Sequence, residues 1–213
     1  GFVAEVDEPS TRGRLSRVSP ENLYVAGPFD VSRDESRLVF AGRLASNPSA
    51  PVQIYIMSVD GGTPTRLTSE EEDCYWPSFT SDASGVVFET GGVLWRIQAD
   101  GRGGKTRLPG SGIGTDHSPA VNPINNAVLF TSRSDPSEGP SMGERFEELI
   151  WTMRSDGSGL TQYREGASPR WSQTGDMIAF DQKADLWTMN LDGTGLKLQT
   201  EFRPVIPPAI ALA

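Results

Sequence analysis

Apolar and polar positions alternate along this chain in short runs, and the runs recur. The first kind begins near a proline and closes on Phe eleven residues later, as Pro77 to Phe88, Pro119 to Phe130 and Pro169 to Phe180. An earlier copy ends in Arg37-Leu38-Val39-Phe40, with Phe29 in the proline slot and Pro28 one place before it. The second kind is an aliphatic-aromatic pair with Asp-Gly in fixed register: Ile54-Tyr55, Leu94-Trp95, Ile150-Trp151 and Leu186-Trp187. Asp60, Asp100, Asp156 and Asp192 each fall six residues after the aliphatic residue. Such period-2 runs of aromatic and β-branched residues, bounded by turn residues, predict strands.

The turn chemistry sets the unit. Asp-Gly between apolar runs predicts a two-residue hairpin, because both positions tolerate positive φ. Ser81–Gly85, Pro123–Asn126 and Gln173–Asp176 also read as turns. Each repeat therefore holds two hairpins and four strands. Trp95 and Ile97, Trp151 and Met153, and Trp187 and Met189 share one face, while Leu94, Ile150 and Leu186 take the other. Strands apolar on both faces are buried on both. Blade-on-blade stacking provides that, and radial closure protects the sheet edges. The three tryptophans are accordingly expected to be equivalent core residues between blades.

The expected fold is all-β: a β-propeller of four-stranded antiparallel blades, at about 27–68, 76–109, 118–164 and 168–200. A sandwich would not repeat one four-strand unit in strict register. A fifth, composite blade is expected from residues 1–18 and 204–213. Phe2, Asp7 and Leu15 repeat the spacing of Trp95, Asp100 and Leu108, so the first residues read as outer strands. Pro208–Ala213 stands where an inner strand would begin.

The strand–turn–Phe unit, followed by aromatic, Asp-Gly and Arg66-Leu67-Thr68, resembles the WD40-like repeat of TolB-type propellers. The resemblance runs from about Phe2 to Thr200. Its Ser-Pro-Asp-Gly inner turn is degenerate here, at Thr80–Ala83, Asn122–Asn125 and Ser172–Gly175. The resemblance implies a periplasmic or extracellular binding protein of the cell envelope, and related propellers cap serine peptidases. Fold alone does not fix function.

Composition narrows the field. A net charge of -9 leaves no basic face for nucleic acid or anionic lipid. No apolar run reaches the roughly 20 residues of a membrane span. One Cys and one His make no zinc or copper site of nitrogen and sulfur ligands. The repeat Asp residues lack EF-hand spacing and read as turn caps. No cofactor is implied: Gly101–Thr106 lacks the strand–loop–helix setting of a phosphate loop. A triad around His117 needs a nucleophile on a strained turn and a third group orienting the base, and no Gly-x-Ser-x-Gly motif occurs, so no catalytic triad is expected.

The candidate partner-binding residues lie on links. The connection between second and third strands is minimal at Glu89–Gly92 and Asp181–Asp185, and long at Ala41–Gln53 and Thr131–Leu149. The longer one carries Met142, Arg145 and Phe146. Long loops on a rigid scaffold commonly bind; a neutral, solvated insertion is the competing reading. The acidic run Glu70, Glu71, Glu72 and Asp73 precedes Tyr75 and Trp76 and is expected on the same face. A charge run is usually solvated surface, but adjacent aromatics favour contact. Asp116 and His117 stand before an inner strand. A loop histidine bonded to its neighbours outweighs a ligand-facing one. The expected function is a non-catalytic protein-interaction scaffold, an accessory subunit of an envelope complex with a protein partner. The alternatives are a peptidase's substrate-gating propeller and a channel that binds a small ligand or glycan.

Overall fold

A computed structural model of the chain describes residues 2–5, 14–134 and 147–200, with side chains from Val18 onward. Those residues form strands and no helix. β1 (Phe2–Glu5) and β2 (Arg14–Arg17) pair as an antiparallel hairpin. Four four-stranded antiparallel meanders follow. Blade 1 is β3 (Leu23–Val31), β4 (Arg37–Leu44), β5 (Gln53–Ser58) and β6 (Gly61–Arg66). Blade 2 is β7 (Cys74–Phe79), β8 (Gly85–Thr90), β9 (Val93–Gln98) and β10 (Lys105–Arg107). Blade 3 is β11 (Gly114–Val121), β12 (Ala127–Ser134), β13 (Glu148–Arg154) and β14 (Thr161–Glu165). Blade 4 is β15 (Ala167–Trp171), β16 (Met177–Gln182), β17 (Asp185–Asn190) and β18 (Lys197–Leu198). The fold is a β-propeller, and each blade runs outward from its first strand.

The two sequence signatures meet across the middle of every blade. Phe40 is opposite Tyr55, Phe88 opposite Trp95, Phe130 opposite Trp151 and Phe180 opposite Trp187. A cross-strand aromatic pair of this kind stabilises a sheet beyond its area burial. The pair faces the preceding blade. Phe88 and Trp95 pack with Val39 and Ile54 of blade 1, and Trp151 and Phe130 with Leu94 of blade 2. Phe180 and Trp187 pack with Ile150 of blade 3. The Phe rings are fully buried, whereas the three tryptophans are half-buried, less than the sequence predicted. Each indole lies on the third strand, farther from the axis, where neighbouring blades diverge.

A backbone hydrogen bond repeats beside each aliphatic pocket. The N–H three residues before the blade proline donates to the carbonyl two residues before the aliphatic residue of the preceding blade. The pairs are Cys74 to Val52 (2.8 Å), Asp116 to Gly92 (2.9 Å) and Gly166 to Glu148 (2.9 Å). Ile54, Leu94 and Ile150 are 0% exposed in these contacts, but Leu186 is 43% exposed. No described residue thus closes the pocket of blade 4, although the sequence pattern makes the four positions equivalent.

Some turns differ from expectation. Asp60 sits in a two-residue hairpin, with Ser58 opposite Gly61. The other three Asp-Gly pairs lie in longer turns. There Asp100, Asp156 and Asp192 each accept the N–H two residues on, at 2.9, 2.8 and 2.9 Å. These carboxylates cap their own turns. The expected link at Ala41–Gln53 shortens to residues 45–52, because β4 continues to Leu44. The β1–β2 hairpin matches the outer half of the expected composite blade. Its inner half, Pro208–Ala213, lies outside the described residues.

The pocket asymmetry predicts unequal costs. Leu94→Ala and Ile150→Ala should each lose about 2–5 kcal/mol, the range for emptying a packed aliphatic site. Leu186→Ala should lose about 0.5 kcal/mol or less, as at an exposed site. Denaturant midpoints of the three variants check this.

Candidate functional site

The acidic run lies on the link from β6 to β7, and most of it is tied down. The Glu70 carboxylate pairs with Lys105 Nζ, which stands 4.1 Å above the Trp95 ring. The backbone N–H of Glu70 donates to Gln53 Oε1 at 2.9 Å, and Thr68 Oγ1 donates to the same oxygen at 2.8 Å. Asp73 accepts the Val52 N–H at 2.7 Å and the Tyr75 hydroxyl at 3.1 Å. Glu70 and Asp73 therefore fasten blade 2 to blade 1. Glu71 and Glu72 project from between them, exposed.

Asp116 is buried and accepts from Ser111 N–H at 3.0 Å and Ser111 Oγ at 2.8 Å, so it secures the link into blade 3. His117 is half-buried, with Nδ1 3.0 Å from Ser118 Oγ. Burial holds its pKa below the usual histidine value, which favours the neutral ring. Met142, Arg145 and Phe146 lie outside the described residues. No three His, Cys, Asp or Glu side chains among the described residues are grouped to hold a metal ion.

A second site lies on the axis, where each inner strand carries a β-bulge at a residue–proline step. The residue before proline is left-handed in every blade: Gly27 (φ 129°), Trp76 (55°), Ser118 (54°) and Ser168 (52°). In blades 2 to 4 the bulge sets two residues against the blade's Phe; in blade 1 it sets three against Ala41. A positive φ is unusual for any residue but glycine and is an outlier for one as bulky as Trp76. Such strain concentrates at functional positions.

The residue after the proline slot then meets the next blade. Asp30 Oδ2 accepts the Phe79 N–H at 2.8 Å and the Ser78 hydroxyl at 3.1 Å. Ser78 Oγ accepts the Val121 N–H at 3.1 Å, and the Ala120 carbonyl accepts Trp171 Nε1 at 3.0 Å. Asp30, Ser78, Ala120 and Arg170 are thus one position in four blades. They border an axial cavity of about 1110 Å³, walled by Phe29, Trp76, Pro77 and Trp171 and reaching the inner turns at Glu35, Ser81 and Gln173. Burial raises the Asp30 pKa against the lowering effect of its hydrogen bonds.

Of the candidate partner-binding residues, only Trp76 reaches this cavity. Phe29 entered the sequence reading only as a repeat position, and Asp30, Arg170 and Trp171 were given no role. The signal was their fixed offset from the proline slot, which becomes informative once that slot is known to be a bulge at the axis.

The geometry agrees with solved structures. A putative TolB from Agrobacterium tumefaciens superposes with a TM-score of 0.64 at 21% identity, over 80% of this chain and 63% of that one. The chain has the TolB-like β-propeller fold. TolB from Acinetobacter baumannii gives 0.60 at 19%, over 79% of this chain and 41% of that one. An oligogalacturonate lyase in complex with manganese gives 0.63 at 15%, over 86% and 56%. The chain thus spans less than two thirds of each TolB structure. No protein-family model matches the sequence, and no curated protein does.

The link-face carboxylates predict a pH effect. Burial raises the Glu89 pKa, and nearby Glu72 and Asp73 raise it further, while the Gly92 N–H donating to its Oε1 at 2.7 Å opposes them. A raised folded-state pKa means that this stability is complete below the unfolded value and is lost as pH rises through the folded one. Glu89→Gln keeps the acceptor and removes the charge. It should raise the melting temperature at pH 7 and leave it unchanged near pH 4.

Proposed function

We propose that this chain is a non-catalytic interaction scaffold of the cell envelope that docks a protein partner on its link face. The observation that carries the reading is the Glu70–Asp73 link. Its outer residues are fixed by bonds to Lys105, Val52 and Tyr75, so Glu71 and Glu72 stand on a preset base. A charged edge held rigid before contact loses little conformational entropy on binding. The acidic edge fits a basic patch on the partner. The TolB-like fold and the propeller resemblance support the envelope setting. No helix among the described residues is long and apolar enough to cross a membrane.

Capture from an envelope extract tests this. The chain should retain a basic protein partner, and a Glu71→Lys/Glu72→Lys double variant should weaken capture at least tenfold. Raising the salt should mainly slow association, as for steered encounters. A double variant that captures the same protein equally well would remove the support for this face.

A further inference from the structure

We infer that the axial cavity is a second binding site, built for an acidic oligosaccharide, with a sugar carboxylate on Arg170 and sugar ring faces against Trp76 and Phe29. Three observations carry this: a cation without an ion-pair partner among the described residues, aromatic rings on the cavity wall and occupied strand edges.

The cation comes first. Arg170 is exposed on the cavity wall. One guanidinium N–H donates to the Pro169 carbonyl at 2.8 Å, and its Cζ stands 6.0 Å from the Trp76 ring centre. The ion pairs among the described residues are Lys105–Glu70 and Lys183–Glu165, so no described carboxylate lies within 4.0 Å of Arg170. The neighbouring Asp30 does not neutralise it by contact, because its oxygens are engaged by the Phe79 and Val31 N–H groups and the Ser78 hydroxyl. A guanidinium carries five N–H donors in a fixed fork that matches a carboxylate. Arg170 therefore holds unused donors in the cavity of a strongly acidic protein.

The wall beside it carries aromatic rings among polar and charged groups that include Arg33, Glu35 and Asp60. Phe29 is 64% exposed. Trp76 is held against the cavity by its left-handed backbone. Trp171 has its indole N–H committed to Ala120 and packs against the core beside Ile178 and Phe180, with part of the residue bordering the cavity. Such surfaces suit the C–H faces of sugar rings, and at about 1110 Å³ the cavity exceeds the usual space for one small molecule.

The strand edges argue against one competitor, an acidic peptide that adds to them as an extra strand. A peptide adding to a sheet edge needs free main-chain N–H and C=O groups. Here the Phe79 and Val121 N–H groups are occupied by Asp30 and Ser78. Pro28, Pro77, Pro119 and Pro169 have no N–H, and the bulges break the edge.

Tryptophan fluorescence titration of the chain tests this, with a hyaluronan tetrasaccharide and an alginate tetramer as acidic probes. Maltotetraose and tetraglutamate serve as the neutral and peptide controls. At least one acidic sugar should give a saturable change, with maltotetraose at least tenfold weaker. Arg170→Gln should weaken binding at least tenfold and Arg170→Lys less, with unchanged melting temperatures because the side chain is exposed. Phe29→Ala, also exposed, should weaken binding without unfolding the chain. Absence of saturation with both acidic sugars, equal binding of maltotetraose, or indifference to Arg170→Gln would each overturn the inference. Tetraglutamate binding as tightly as the sugars would overturn the ligand class in favour of acidic peptides.

Discussion

The bulge at each residue–proline step is the constraint on which the rest of this propeller depends. An inner strand lies at the edge of its sheet, with unpaired main-chain groups facing the axis. Left regular, that edge would template pairing with another strand. The bulge inserts an unpaired residue, proline removes a donor, and the strand turns. The turn aims the next residue at the neighbouring blade, so Asp30 and Ser78 can accept the N–H groups of Phe79 and Val121. Edge protection and blade-to-blade bonding are thus one device. The cavity is the space that the bulges leave around the axis.

Apolar packing acts farther out, in register with those bonds. The Phe of one blade fills against the aliphatic residue of the blade before it, and the half-buried tryptophan extends the contact outward. Each interface is built from the same positions, so its stability is close to a nearest-neighbour sum. Leu186 shows how strictly local this is. It occupies the sequence position of Ile54, Leu94 and Ile150, each buried by the blade that follows, yet it is exposed among the described residues.

Charge is divided between two roles that look alike in sequence. Glu70 and Asp73 belong to an acidic run, but Lys105, Val52 and Tyr75 absorb them into the interface between blades 1 and 2. Glu71 and Glu72 carry the same charge and remain outside. On the axis the division recurs with opposite sign. Asp30 is saturated by hydrogen bonds, and Arg170, at the matching position of blade 4, is not.

The sequence by itself determined the blade. Periodicity, turn residues and the fixed spacing of Phe, aromatic and Asp-Gly specify four strands and their register, because these are properties of neighbours along a chain and across a hairpin. That is why the four-stranded unit and its two hairpins could be read from the repeats alone. The sequence also named Trp76 beside the acidic link, and the structure places that residue on the wall of the axial cavity. Only the tertiary structure decided what each repeated position does. A carboxylate becomes a cap or a free charge according to what the next blade presents. The offset shared by Asp30, Ser78, Ala120 and Arg170 means nothing until four inner strands converge on an axis. Those contacts join residues some forty to fifty positions apart in adjacent blades, and no local pattern encodes a distance of that kind.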